Sequence, residues 1–151
     1  MSSGATDDYV AVRRLQDAYA DVCSRRAWAE LPDLLLPDVH VALDVRDQVL
    51  EIDGATALAE FIEPQLEQFS FFQFVIRNAV VDLYPGGDID AATGRMWMSE
   101  FRQHRADERW STIFGVYDDR YRRTSGGWRI EARRYQTLAR PDVNEAFDYR
   151  P

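Results

Sequence analysis

The chain contains no lysine; all eighteen of its basic residues are arginine. That absence excludes Schiff-base catalysis, pyridoxal attachment and the lysine of a phosphate-binding loop together. Cysteine is nearly absent too, and a single Cys23 rules out an intrachain disulfide framework. The only histidines, His40 and His104, lie far apart, so no zinc or other metal site is expected. No organic cofactor is expected either, because PGGDID at 85–90 is not followed by the helix that a nucleotide loop needs. No apolar run approaches the ~20 residues that cross a bilayer, so no membrane partner is expected. The opening MSSGATDD lacks the basic and then apolar pattern of a secretory signal, which reads as a cytoplasmic protein. A net charge of −8 leaves no general basic footprint for nucleic acid. Six arginines do gather between positions 120 and 134. In so acidic a chain they are expected to pair with carboxylates or to border a solvated strand edge.

What is present suits one α+β domain over residues 1–151, with a frayed 1–6 and an irregular tail at 139–151. At 151 residues and 46% apolar composition the chain can bury a sizeable core. Val12, Leu15, Tyr19 and Val22 form one helical stripe, with Thr6, Asp7 and Asp8 supplying a cap and first-turn acids. Trp28 and Leu31 predict a short second helix that breaks at Pro32, then a further turn ending near Pro37. Val39, Val41, Leu43 and Val45 alternate as a strand, and Val49–Ile52 returns after a turn at Arg46-Asp47. A third helix starts at Asp53-Gly54 with Leu58, Phe61, Ile62, Leu66 and Phe69 inward, kinked or divided at Pro64. Strands follow over 71–84, 95–104 and from Trp110 onward. Helices segregated from an antiparallel meander exclude βαβ winding.

The final hairpin is the most distinctive stretch. In GVYDDRYRRTSGGWRIEAR, Tyr117, Asp119, Tyr121 and Arg123 share one face, and Trp128, Ile130 and Ala132 alternate after a Gly126-Gly127 turn. The pattern resembles the C-terminal hairpin of the SnoaL-like, scytalone-dehydratase-like branch of the NTF2-like superfamily. That resemblance covers roughly residues 9–137. It implies a curved, mostly antiparallel sheet wrapped around three N-terminal helices, a conical apolar pocket and a homodimer. It also implies a general-base aspartate and a partner histidine, which would fall at Ser24 and Phe74. Neither side chain can play its part: serine is too weak a base, and phenylalanine takes no proton.

Other groups must then supply any chemistry. Met96, Met98, Glu100, Arg102 and His104 share one face of a strand, Trp97 and Phe101 the other. Glu100, His104, Tyr19 and Tyr117 are the candidate catalytic residues; Trp28, Phe74, Trp97 and Ser24 are candidate substrate contacts. Asp119 reads as an anchor for the hairpin turn, and Asp21 as a solvent-facing helix acid. The expected activity is a cofactor-independent cyclase, isomerase or dehydratase acting on an apolar polycyclic, polyketide-like or terpenoid molecule. A ligand-binding or accessory dimeric protein is the alternative, as is an epoxide hydrolase built on Glu100 and Arg102. Glu100 and His104 facing the pocket would favour chemistry; Trp97 and Phe101 there, with no carboxylate, would favour binding or conformational catalysis.

Overall fold

The computed structural model describes residues 3–151. Helix α1 spans Ser3–Arg25, and the buried set Val12, Leu15, Tyr19 and Val22 is the stripe expected from the sequence. It starts earlier than expected: residues 3–6 are helical rather than frayed, while 1 and 2 lie outside the described residues. A 3-10 helix, Trp28–Leu34, absorbs Pro32, and strand β1 (Leu35–Asp44) begins where a further helical turn was expected. Pro37 is tolerated there because pairing with the neighbouring strand is irregular between Leu35 and His40, so its missing N–H breaks no ladder bond. Strand β2 is Val49–Asp53, and α2 (Ala55–Glu67) continues past Pro64 without dividing. Phe69 opens strand β3 rather than closing the helix, and is buried there.

The remaining strands are β3 (Phe69–Leu83), β4 (Ala91–His104), β5 (Trp110–Thr124), β6 (Gly127–Arg140) and a two-residue β7, Glu145–Ala146. The expected irregular tail therefore holds the end of β6, a 3-10 turn at Pro141–Val143 and β7. The sheet runs β2-β1-β6-β5-β4-β3, with β7 against the end of β6. Every pairing is antiparallel except β1 with β6, which brings the first strand of the chain beside the last long one. The inner face curves around α1, α2 and the 3-10 helix, and the core lies between them.

Two irregularities set which side chains face inward. In β3 the register with β4 shifts between Ile76 and Asn78. Phe72 and Phe74 therefore pack inward before Arg77, and Ala79, Val81 and Leu83 after it. In β6, Ile130 pairs with Tyr121 and Ala132 with Arg120, leaving Glu131 as an extra residue. The alternation expected for Trp128, Ile130 and Ala132 breaks at that bulge. Ala132 turns outward, and Arg133 and Tyr135 turn inward.

The hairpin turn is clamped to the start of α1. Arg123 donates to both oxygens of Asp8, Nη1 to Oδ1 at 2.7 Å and Nη2 to Oδ2 at 2.8 Å. Trp128 Nε1 donates to the same carboxylate at 3.2 Å, and the Tyr84 hydroxyl also donates to it. Led by the Arg123 bonds, these donors hold Asp8 down at a pKa of about 2 against the opposing effect of burial. Other arginines of the cluster are likewise paired, Arg122 with Asp88 and Glu131, Arg134 with Asp118. At the turn, Gly127 rather than Gly126 carries the positive φ, 103°.

Candidate active site

The inner face of the sheet and α2 enclose a cavity of about 350 Å³. Its wall is aromatic: Tyr19 from α1, Phe74 from β3, Tyr117 from β5 and Tyr135 from β6. Tyr117 is their hub, with ring centroids 6.2 Å from Tyr19, 5.7 Å from Phe74 and 4.9 Å from Tyr135. Tyr135 can lean this far only because residue 115 is glycine; a Cβ there would fall 2.3 Å from the Tyr135 ring. Leu58, Ile62 and Leu66 of α2 and Leu43 and Leu50 of the β1–β2 hairpin complete the apolar lining. A more open groove of about 550 Å³ crosses the outer face of the sheet. It has no comparable aromatic wall, and its Arg95 and Arg134 are both spent on Asp118.

Glu100 is the only carboxylate lining the inner cavity among the described residues. Its side chain keeps 20% of its surface accessible, and its nearest cation is Arg102, with Nη1 3.8 Å from Oε2. That is beyond hydrogen-bond distance. Arg102 is engaged elsewhere, donating from Nε to Ser111 Oγ at 3.1 Å and lying over the Phe69 ring. Burial therefore pushes the Glu100 pKa above its ordinary 4.5, with the charge of Arg102 pulling the other way. A carboxyl group so placed can hold or release a proton nearer neutrality than a surface glutamate.

Deeper in, Arg133 and Asp119 form a pair whose side chains are 1% and 0% exposed. Arg133 donates from Nε to Oδ1 at 2.8 Å and from Nη2 to Oδ2 at 2.7 Å, and the Tyr121 hydroxyl adds a bond to Oδ2 at 2.8 Å. Gln16 of α1 supports Tyr121 in turn, donating to its oxygen at 2.9 Å. Asp119 thus anchors the cavity floor, not the hairpin turn. The guanidinium lies between two rings, 4.1 Å from the Tyr19 centroid and 4.3 Å from Tyr117. Burial raises the pKa of both phenols, and the nearby Arg133 charge opposes it. It also pushes the Cys23 thiol up to about 12, so this cysteine is no thiolate nucleophile at neutral pH.

Of the eight expected site residues, Glu100, Tyr19, Tyr117 and Phe74 line the cavity and the other four do not. Trp97 faces outward, as its parity on β4 requires, and packs on Tyr149 at 5.4 Å. His104 shares the inner side of β4 but sits at its end, with Nε2 2.9 Å from Ser111 Oγ and 3.1 Å from Arg109 Nη2. Trp28 packs against the core from the 3-10 helix without reaching the cavity. Ser24 Oγ accepts a bond from the backbone N–H of Phe74 at 3.0 Å, which uses it structurally. The two positions expected for an acid–base dyad therefore do meet, but through a hydroxyl and a backbone amide. Arg102, which the sequence set beside Glu100, also lines the cavity, and Arg133 and Tyr135 are cavity residues the sequence reading missed. Among the described residues no three His, Cys, Asp or Glu side chains are grouped to hold a metal ion.

An unclosed, mostly antiparallel sheet coiled around helices, with a cavity opening between sheet and helix, defines an NTF2-like cone. Within that class the chain belongs to the SnoaL-like domain family, whose profile matches residues 4–134. No curated protein sequence matches it. Solved structures share its fold at low identity. A protein assigned as a scytalone dehydratase from Novosphingobium aromaticivorans is 17% identical with a TM-score of 0.80, over 99% of this chain and 94% of that one. The hexachlorocyclohexane dehydrochlorinase LinA-type3 from Novosphingobium barchaimii is 12% identical with a TM-score of 0.77, over 97% and 98%. A protein assigned as an aromatic ring hydroxylase from N. aromaticivorans is 23% identical with a TM-score of 0.74, over 89% and 91%.

Proposed function

We propose that this protein is a cofactor-independent enzyme of the dehydratase or isomerase type, with Glu100 as its acid–base group. The observation that carries the reading is a lone carboxylate, without a hydrogen-bond donor among the described residues, in an aromatic cavity. The orientation of β4 supports this reading in part: Glu100 lines the cavity and Trp97 faces outward, while His104 does not line it. In the ionised form Glu100 would take a proton from a ring carbon or hydroxyl of the substrate; in the acid form it would return one to a leaving hydroxyl. Tyr19 and Tyr117, held neutral by burial, would orient the substrate with their hydroxyls. Similar folds described as dehydratases and dehydrochlorinases support the reaction class.

About 350 Å³ is at the small end of the ~300–1,000 Å³ usual for ligand pockets. The substrate in this reading is an apolar polyketide- or terpenoid-like molecule of one to three rings. A homodimer acting in the cytoplasm completes the proposal, and light scattering against the 17.5 kDa chain mass tests the dimer. The epoxide-opening alternative is weaker, since it needs a second carboxylate and the described cavity residues include no aspartate.

The decisive experiment screens hydroxylated one- to three-ring ketones for loss of water by ultraviolet absorbance, then compares Glu100→Gln. The variant should lose ~100-fold or more in kcat. Because burial raises the Glu100 pKa, base-catalysed turnover in the wild type should rise with pH through a midpoint above 4.5. Unchanged turnover in Glu100→Gln would sink the acid–base role. Tight binding without conversion of any compound would favour the non-catalytic reading, to which the Ser24–Phe74 backbone contact already lends weight.

A further inference from the structure

An arginine 3.8 Å from a glutamate, with both side chains four-fifths buried or more, would ordinarily close on it and form a charge-assisted hydrogen bond. Arg102 does not close on Glu100. Its Nε instead donates at 3.1 Å to Oγ of Ser111, its partner on β5, and its guanidinium lies 4.8 Å from the Phe69 ring centroid. Of these two restraints, only the hydrogen bond has a direction. Ser111 is 5% exposed, and its hydroxyl is committed on both sides. Oγ lies 2.9 Å from His104 Nε2, and Arg109 Nη2 lies 3.1 Å from the same nitrogen. A guanidinium has only donors, so His104 Nε2 accepts and the ring proton sits on Nδ1. The Ser111 hydrogen then points at Nε2, which turns an oxygen lone pair toward Arg102. Asp142 accepts from Arg109 at 2.8 Å, and the His104 and Phe69 rings meet at 5.0 Å. One proton arrangement satisfies the whole row from Asp142 to Arg102.

We propose that Ser111, oriented by His104, is a positioning residue that holds Arg102 off Glu100 and so keeps the carboxylate open to an occupant of the cavity. The proposal rests on Glu100 being the working group of that cavity, as read above. Of the other cavity arginines, Arg133 is bound to Asp119 and Arg140 to Glu145. The titratable groups that face Glu100 from other elements are Cys23 of α1, Tyr117 of β5 and Tyr135 of β6, all kept neutral by burial. Arg102 itself faces Arg109 and Asp142 on its far side. The Arg102–Glu100 separation therefore sets the charge balance at the carboxylate. Standing off, the guanidinium moderates the charge; in contact, it would fill the carboxylate lone pairs and hold the group ionised.

Carbon-13 NMR of the glutamate carboxyls, with Glu100 identified by its loss in Glu100→Gln, reads the titration without any substrate. In Ser111→Ala the Glu100 midpoint should move to lower pH by about one pH unit, as Arg102 closes the gap. Arg102→Met should move it the other way, and Ser111→Ala added to that variant should change nothing further. An unchanged or higher midpoint in Ser111→Ala, or an equal drop in the Arg102→Met background, would overturn the proposal. Ser111→Thr keeps the hydroxyl and should stay at the wild-type midpoint; a fall matching that of Ser111→Ala would mean the hydroxyl is no tether. In the wild type at pH 8, the nitrogen-15 shifts of His104 should be those of the Nδ1–H tautomer. An Nε2–H ring contradicts the assignment, and this readout decides alone if Ser111→Ala does not fold. The tether and the catalytic reading fail separately. The expected shift, with unchanged turnover in Glu100→Gln, would keep the tether and remove the acid–base role. Where both hold, the pH–rate profile of Ser111→Ala moves with its carboxyl titration.

Discussion

Asp119 and Glu100 are carboxylates on adjacent strands, both directed to the inner face of the same sheet. Asp119 accepts two bonds from Arg133 and one from Tyr121, in a site with no exposure at all. Glu100 has no such donor, and its nearest cation stands off at 3.8 Å with its Nε committed to Ser111. The difference lies in the partners. β6 brings an arginine directly opposite Asp119, whereas the residues paired with Glu100 are Phe74 and Ile113. A carboxylate satisfied on every side holds the fold in one arrangement. One left without donors costs stability when ionised, and is for that reason available to a substrate.

Breaking the satisfied member should have the largest effect. Asp119→Ala leaves Arg133 charged and buried without its partner, and should cost about 3–5 kcal/mol in urea unfolding. A loss below about 1 kcal/mol would mean that the pair contributes little to the fold. Next in size is the clamp at the other end of the cone. Asp8→Asn should cost roughly 1.5–3 kcal/mol at pH 7, since it weakens charge-assisted bonds from Arg123. The native pKa of Asp8, about 2, lies below its ordinary 3.8. Its contribution is therefore present above pH 3.8 and lost as pH falls through about 2, so wild type and variant should converge in acid melts. Gly115→Ala pushes a methyl into Tyr135 and should cost about 1–3 kcal/mol while narrowing the cavity, read as weaker binding of the larger ligands.

The smallest effect has the opposite sign. For Glu100 the native pKa is raised, so the protein loses stability as pH rises from 4.5 through that raised value. Glu100→Gln should accordingly melt slightly higher than wild type at pH 8, with the gap closing below pH 4.5. A variant less stable at pH 8 would show that Glu100 is a structural carboxylate after all, and the contrast with Asp119 would collapse.

Much of the architecture was legible in the chain because its strands and α1 keep their periods. The stripe Val12, Leu15, Tyr19, Val22 is buried, and of the alternation Val39, Val41, Leu43 the first two are buried and the third partly so, on the same face. Period two on β4 also placed Glu100 opposite to Trp97, although it could not say which of them was inside. Where the chain departs from its period, the reading failed. Ala132 shares a face with Trp128 and Ile130 in the sequence pattern, and Arg133 is overlooked as a cavity residue, because nothing in RIEARR announces an extra residue at Glu131. The parallel contact of β1 with β6 was equally silent, since it joins segments some ninety residues apart. His104 and Trp28 belong to the right layers but lie outside the cavity, a matter of position along each element that periodicity does not encode.

The bulge at Glu131 behaves like a shift of reading frame within a strand. Upstream of it the even-numbered residues Trp128 and Ile130 are buried inside; downstream the odd-numbered Arg133 and Tyr135 are. Were Glu131 paired in register with Arg120 instead of bulging, Ala132 and Arg134 would face the cavity in place of Arg133 and Tyr135. Half the strand would keep its old neighbours while the other half exchanged its entire vocabulary of side chains. In a fold whose strands bear both the core and the pocket, the gain or loss of a bulge is thus a route to new binding surfaces.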